Sequence, residues 1–280
     1  MNKLPLLFLF ATAAWAGPVA DHLGLQLYSL RVQLKEQGWA AALDQTKAFG
    51  LTAIESGAPF AGLTVAQTKE EVAKRKLQLV AEGVGYETLS QDLSASVTQA
   101  KALGVRYVSV TWIPHHGDDF TEAEAHQAAA DFNRWGAAFR AEKITFLYHP
   151  HGYEFRPRAD GTTLFDVLVK ETNSKDVSYE MDVFWITHGG QDPVNLLTKY
   201  PDRWRTMHVK DIRKGAPTGL FTGHAPATDD VPVGSGQVNW PAVLKTAHKV
   251  GVKWYFIEDE STTPMQNIPQ SIAYIRSLGL

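Results

Sequence analysis

Three runs decide how this chain folds: Ile144–Phe155 (ITFLYHPHGYEF), Val177–Trp185 (VSYEMDVFW) and Trp204–Asp211 (WRTMHVKD). Each opens on strand-forming residues and closes on side chains that bind metals. The first delivers His149 and His151, the second Asp182, the third His208. A fourth run near the end, Lys253–Glu260 (KWYFIEDE), delivers Glu258. Carboxylates mixed with imidazole suit zinc, manganese, iron or cobalt better than a purely thiolate or purely oxygen site would. The rest of the chain is then the scaffold that brings four strand ends together.

On either side of these runs, short apolar segments alternate with longer amphipathic ones. The expected strands are Leu23–Leu27, Thr52–Glu55, Leu77–Ala81, Tyr107–Thr111, Thr145–His149, Val177–Asp182, Arg205–Val209 and Trp254–Glu258. Between them the expected helices are Trp39–Phe49, Val65–Lys76, Ser94–Leu103, Glu122–Glu142, Leu164–Glu171, Pro193–Lys199, Pro241–Val250 and Ile268–Leu278. Gly50, Gly104 and Gly251 stand where helices stop and an apolar residue leads into the next strand. Strand and helix in alternation imply a parallel sheet with helices outside, and eight such units predict a single (β/α)8 TIM barrel of the α/β class. In that fold the active site forms at the C-terminal ends of the strands. Here those ends carry Gln26, Glu55, Glu82, Thr111, His149, Asp182, His208 and Glu258.

With 280 residues and 44% hydrophobic content, the chain can bury one sizeable core, so one domain is expected over residues 17–280. The formal charge of -3 provides no positive field for a polyanion, so nucleic acid is not an expected partner. No cysteine is present, which excludes disulfides. Residues 1–16 (MNKLPLLFLFATAAWA) have the form of a signal peptide: Lys3, an apolar run over Leu4–Ala13, and Ala14 and Ala16 as a small-residue cleavage site. Cleavage after Ala16 is expected to release an exported protein without a stable membrane anchor, periplasmic or secreted. The longest irregular stretch, from Arg213 to Val238, is a candidate lid or binding loop. The glycines of Val233–Gln237 (VGSGQ) within it read as turn residues.

From LGLQLYSLR at Leu23 through almost the whole chain, the sequence resembles the xylose-isomerase-like barrels. These are sugar phosphate isomerases and epimerases, together with apurinic endonucleases and inosose dehydratases. The resemblance is carried by YHPHGYEF, close to the family's YHNHxxEF, then EMDVFW, HVKD, VGSGQVNWPAV and YFIEDE, in that order. It implies one divalent ion (zinc, manganese, cobalt, iron or magnesium) held by His149, Asp182, His208 and Glu258. The departure is at the fifth strand, where histidine stands in place of the usual glutamate. Either His149 or Glu154, five residues further on, supplies that ligand.

The remaining candidates surround this centre. His151 and Glu154 are expected to orient ligands or move protons, and Lys210, on the same strand face as His208, to stabilise an oxyanion. Glu258 serves both as ligand and as a catalytic group. Glu55 and Glu82 suggest hydroxyl binding, and Tyr28, Trp112 and Trp185 suggest stacking under a sugar ring. His115 and His116 read as solvated loop residues. The expected activity is that of a metal-dependent sugar isomerase or epimerase acting on a small keto-sugar or glycoside through an enediolate. A dehydratase or 3-keto-glycoside lyase of the same fold is the alternative, because one flank of the substrate would meet imidazole. Export argues against phosphorylated substrates. A non-catalytic sugar-binding protein would need the aromatic residues but not the four ligands together.

Overall fold

The computed structural model describes residues 17–57 and 59–280, and the proposed leader at 1–16 lies outside them. Eight parallel strands close into a barrel. They are Leu23–Gln26, Ala53–Gly57, Gln78–Gly83, Tyr107–Val110, Thr145–Tyr148, Val177–Asp182, Trp204–Val209 and Trp254–Ile257. Closure comes from the first strand pairing with the eighth, Leu23 opposite Tyr255 and Leu25 opposite Ile257. Each strand is thus hydrogen-bonded on both edges and covered on both faces, which is why the sixth, VSYEMD, is buried along its whole length. Among the described residues no helix is long and apolar enough to cross a membrane.

The helices start where the sequence supplies caps. Thr64 with Gln67, Thr121 with Glu124 and Thr163 with Asp166 form reciprocal capping boxes. Two helix starts differ from expectation, and two helices are additional. The chain is helical from Arg31, but Gly38 (φ 79°, ψ 179°) breaks it, so the expected start near Trp39 marks the second of two joined segments. The last helix begins at Pro264, whose missing N–H costs nothing in a first turn. Tyr86–Gln91 and Val183–His188 are helices that the periodicity did not show. The second turns the chain sharply at the sixth strand end, because Asp182 Oδ1 accepts the Trp185 N–H at 2.9 Å.

Inside the barrel, Ala53, Val80, Ala81, Tyr107, Leu147 and Phe256 pack as a separate apolar cluster. Gly24 makes room for it, since a Cβ there would meet the Phe256 ring at 2.6 Å. Above this plug the interior turns polar with Glu55, Ser109, Glu180, Thr206 and His208, all buried. The stretch after the seventh strand is braced. Asp211–Ile212 pairs antiparallel with Asp230–Val231. The Asp211 carboxylate accepts N–H groups of Gly234 (2.9 Å), Gly236 (3.0 Å) and Val238 (3.3 Å) and the Trp240 indole (2.9 Å).

Candidate metal centre

The ligand candidates meet at the C-terminal mouth. The backbone N–H of His149 bonds Val110 O at 2.9 Å, so pairing carries the imidazole inward just past the fifth strand. Its Nε2 lies 3.6 Å from Asp182 Oδ2, and His208 Nδ1 lies 3.6 Å from the same oxygen. Glu258 Oε2 is 3.2 Å from His208 Nδ1. An ion bonded at about 2.0–2.2 Å sets neighbouring tetrahedral donors about 3.3–3.6 Å apart, a range that holds both Asp182 separations and falls just above the 3.2 Å of Glu258. His149 Nε2 and Asp182 Oδ2 are buried without a hydrogen bond, a costly state that a cation between them would relieve. Donor chemistry, spacing and unpartnered atoms all fit a divalent ion.

Beneath the centre, Glu180 Oε2 sits 3.1 Å from His149 Nδ1 and 3.3 Å from His208 Nε2, while its Oε1 accepts the Thr206 hydroxyl at 2.6 Å. One carboxylate therefore orients both imidazoles, turning His149 Nε2 and His208 Nδ1 towards the ion position. Sequence reading passed over Glu180, although it precedes Asp182 by two residues and so shares its strand face. Glu55 lies on the other side of His208, 3.3 Å from Nε2, and burial next to Glu180 raises its pKa to about 7. It is beneath the centre and does not line the cavity, so hydroxyl binding by Glu55 is not what the geometry provides. Glu82 is on the opposite face of the sheet, beside Gln99 of the helix Leu93–Leu103.

Glu154 supports the centre from outside the donor set. Its oxygens are taken by the Tyr148 hydroxyl and by the N–H groups of His151 (3.1 Å) and Gly152 (2.9 Å), with no exposed surface. The carboxylate holds the turn that presents His151, and His149 occupies the fifth-strand position in the centre. Lys210 does not line the cavity above the centre either. Its Nζ contacts Glu258 (3.3 Å) and Glu260 and lies over the rings of Phe184 (5.1 Å) and Trp185 (5.4 Å). Burial alone would raise the Glu258 pKa, but the charges of Lys210 and His208 outweigh it and hold the carboxyl well below its ordinary range. Burial likewise opposes charge on Lys210, and Glu258 and Glu260 reverse the effect.

A cavity of about 480 Å³ opens above these groups, with His151, Trp112, Trp185, Tyr28 and Glu260 in its walls. Burial lowers the His151 pKa to about 3, leaving a neutral ring 4.8 Å from His149 and 5.2 Å from Trp185. Tyr28, 53% exposed, forms the rim. His115 is no solvated residue: it stacks on Trp112 at 4.8 Å and supports that wall. The long loop adds His224, 5.7 Å from Trp112, and packs Gly223 so closely that a Cβ would meet the indole at 2.8 Å. No spacing rule pointed to His224 or Glu260.

A family model described as xylose isomerase-like TIM barrel matches residues 43–278. The chain belongs to this family. Among relatives of the xylose isomerase-like barrel, an inosose dehydratase of Geobacillus thermodenitrificans is 26% identical over 164 residues, covering 53% of this chain and 51% of its own. The chain spans about half the length of the curated relatives it matches. Among solved structures, a sugar phosphate isomerase/epimerase from Parabacteroides distasonis aligns with a TM-score of 0.74 at 23% identity over 98% of both chains. The IOLI protein with a bound zinc atom aligns with a TM-score of 0.68 at 13% identity, over 92% of this chain and 97% of its own. These two likenesses establish the xylose isomerase-like fold.

Proposed function

We propose that this chain is a divalent-metal-dependent lyase or dehydratase that removes a carbon-bound proton beside the carbonyl of a keto-sugar or its glycoside and expels a neighbouring oxygen. The observation that carries this reading is the set of converging donors His149 Nε2, Asp182 Oδ2 and His208 Nδ1, with Glu258 Oε2 beside His208 Nδ1, under a cavity whose two flanks differ in chemistry. Bound there, a divalent ion would supply Lewis-acid polarisation of adjacent hydroxyl and carbonyl oxygens, acidifying the C–H between them. Glu258, kept ionised by Lys210, is the carboxylate on one flank that accepts the carbon proton. On the other flank His151, neutral, hydrogen-bonds a substrate hydroxyl without bringing a charge into the site. Trp112 and Trp185 exclude water and pack against the ring.

In the elimination one C–H and one C–O bond break, a C=C bond forms, and the departing oxygen leaves as water or an alcohol. Epimerisation needs a proton acceptor and a proton donor of matched strength on opposite faces, and imidazole facing carboxylate does not provide that symmetry. Support from the relatives is of the same kind: inosose dehydratases are among them. No lysine or arginine is among the described residues lining the cavity, which favours an unphosphorylated substrate. Lys3 and the apolar run before Ala16 extend the proposal to an enzyme acting outside the cytoplasm, and intact-mass measurement on protein from the native host tests it.

The test of the reaction is a metal-loaded assay of free keto-sugars and 3-keto-glycosides in heavy water. Unsaturated ketone and released water or alcohol support elimination. Product carrying solvent deuterium with all oxygens retained would make the enzyme an epimerase, and an equal absence of metal in wild type and in Asp182→Ala would return the chain to sugar binding alone.

A further inference from the structure

Glycine is retained in proteins where φ is positive or where a Cβ would strike a neighbour. Of the 22 glycines in this chain, all but three meet one of those conditions. The three are Gly57, Gly83 and Gly85, at the ends of the second and third strands. None has positive φ, and a Cβ would find its nearest neighbour at 3.9, 3.9 and 3.5 Å respectively. Backbone conformation and packing would accept alanine at Gly57 and Gly83, while Gly85 is also the N-cap of Tyr86–Gln91. All three line one cavity of about 600 Å³ beside the catalytic one, and Gln26, Tyr28 and Gly57 belong to the walls of both. What the missing side chains have in common is the volume they leave open in this cavity.

We infer that this second cavity is a binding subsite for the other half of a two-ring substrate: a keto-sugar reacting over the metal ligands, joined through its glycosidic oxygen to a sugar or aryl ring lodged past Gly57. The inference rests on the proposed reaction for the first ring and on the cavity alone for the second. Each cavity is of ligand size by itself. The walls of the second suit a ring. Trp39 is stacked on Phe60 at 4.1 Å and its indole N–H is fixed on Ala61 O at 3.1 Å, giving a rigid aromatic surface. Leu27, Leu34 and Val84 add apolar area, and Ser56, Thr88 and Asp92 offer hydroxyl partners. At the junction, Gln26 Oε1 is occupied by the Tyr28 N–H at 3.1 Å, which leaves its amide donors for the bridging oxygen.

The experiment measures binding to the full, metal-loaded chain by calorimetry, comparing a 3-keto-hexose with its phenyl glycoside and with the unoxidised phenyl glycoside. Wild type should prefer the phenyl 3-keto-glycoside over the free keto-hexose by on the order of tenfold or more. Gly83→Val, which fills the second cavity without reaching the first, should collapse that ratio while retaining the metal, and Trp39→Ala should lower it by a separate route. Metal content and circular dichroism identify a misfolded variant, and the other variant then decides. A ratio near one in wild type, or one unmoved by folded variants, overturns the inference and leaves the reaction standing. Glycoside binding that responds to Gly83→Val without turnover of any keto-sugar sinks the reaction and retains the subsite; absence of binding by all three ligands overturns both.

Discussion

Glu180 Oε2 stands between the two imidazoles of the centre, and no other described residue touches both from below. Replacing it with the isosteric Glu180→Gln should leave the barrel folded but lower metal affinity by about 10–100-fold, the usual cost of losing a ligand's orienting partner. Chelator competition measures this, with His149→Ala as the reference for losing a ligand outright. Affinity equal to wild type would assign the orientation of the imidazoles to something else. Glu82 makes a second test, by pH. Burial pushes its pKa from 4.5 to about 8, so the folded chain holds a proton that the unfolded chain releases in that interval. Stability is therefore expected to fall as pH rises from about 4.5 to about 8, by up to a few kcal/mol at about 1.4 kcal/mol per pKa unit. Glu82→Gln should remove this loss, melting higher than wild type at pH 8 and equally at pH 4.5; parallel melting curves would contradict it. The two carboxylates also show what residue-level reading lacks. Glu55 and Glu82 both end strands, yet a register shift between Ile54 and Glu55 pairs Glu55 with Ala81 and Ser56 with Glu82. A slip of one residue sends a side chain to the other face, and nothing in either segment announces it.

At the scale of elements, the sequence was most legible where chemistry and period coincide. Asp182 and His208 lie within the last two residues of their strands and His149 and Glu258 just past theirs, positions that the buried apolar body and polar finish of each run mark. The six-residue helices Tyr86–Gln91 and Val183–His188 were not legible, since each is under two turns and shows no period. Their cause is local: a cap at Asp182 and the turn at Gly83–Gly85. The long loop after the seventh strand is legible from its length as a candidate lid or binding loop, and its anchorage is not, because the acceptor Asp211 and the donors it holds are more than twenty residues apart. Asp211→Ala would orphan four donors, each worth about 1–3 kcal/mol when buried. A clear drop in melting temperature is expected, with trypsin cutting first after Arg213 or Lys214. A variant with the wild-type melting point and digest would show that the loop is held by something else.

Across the whole molecule, the ligand set comes from the fifth to eighth strands, while the open volume extends over the first to third. Strand count and order carried this much of the fold, as closure of eight units leaves one arrangement of neighbours. A ligand set drawn from four separate strands exists only in the folded chain, so binding must stabilise folding by linkage. One divalent ion per chain at a free concentration of 100 Kd should add about 2.7 kcal/mol, or roughly 5–10 °C, and chelation should reverse it. Scanning calorimetry with zinc or manganese reads the shift, and an unchanged melting temperature at full occupancy would mean that the ion binds elsewhere.

Within four residues the end of the seventh strand and the chain just past it carry His208, a proposed ligand; Lys210, which keeps Glu258 charged; and Asp211, which ties down the far end of the loop above them. The hinge points of the roof are therefore built into the floor. Between Arg213 and those ties, the span from Lys214 to Thr228 puts Gly223, His224 and Ala225 into the cavity wall and contributes none of the proposed ligands or the proposed proton acceptor. Descendants of this chain can change their choice of molecule by splicing that span alone, keeping the reaction constant while the repertoire drifts.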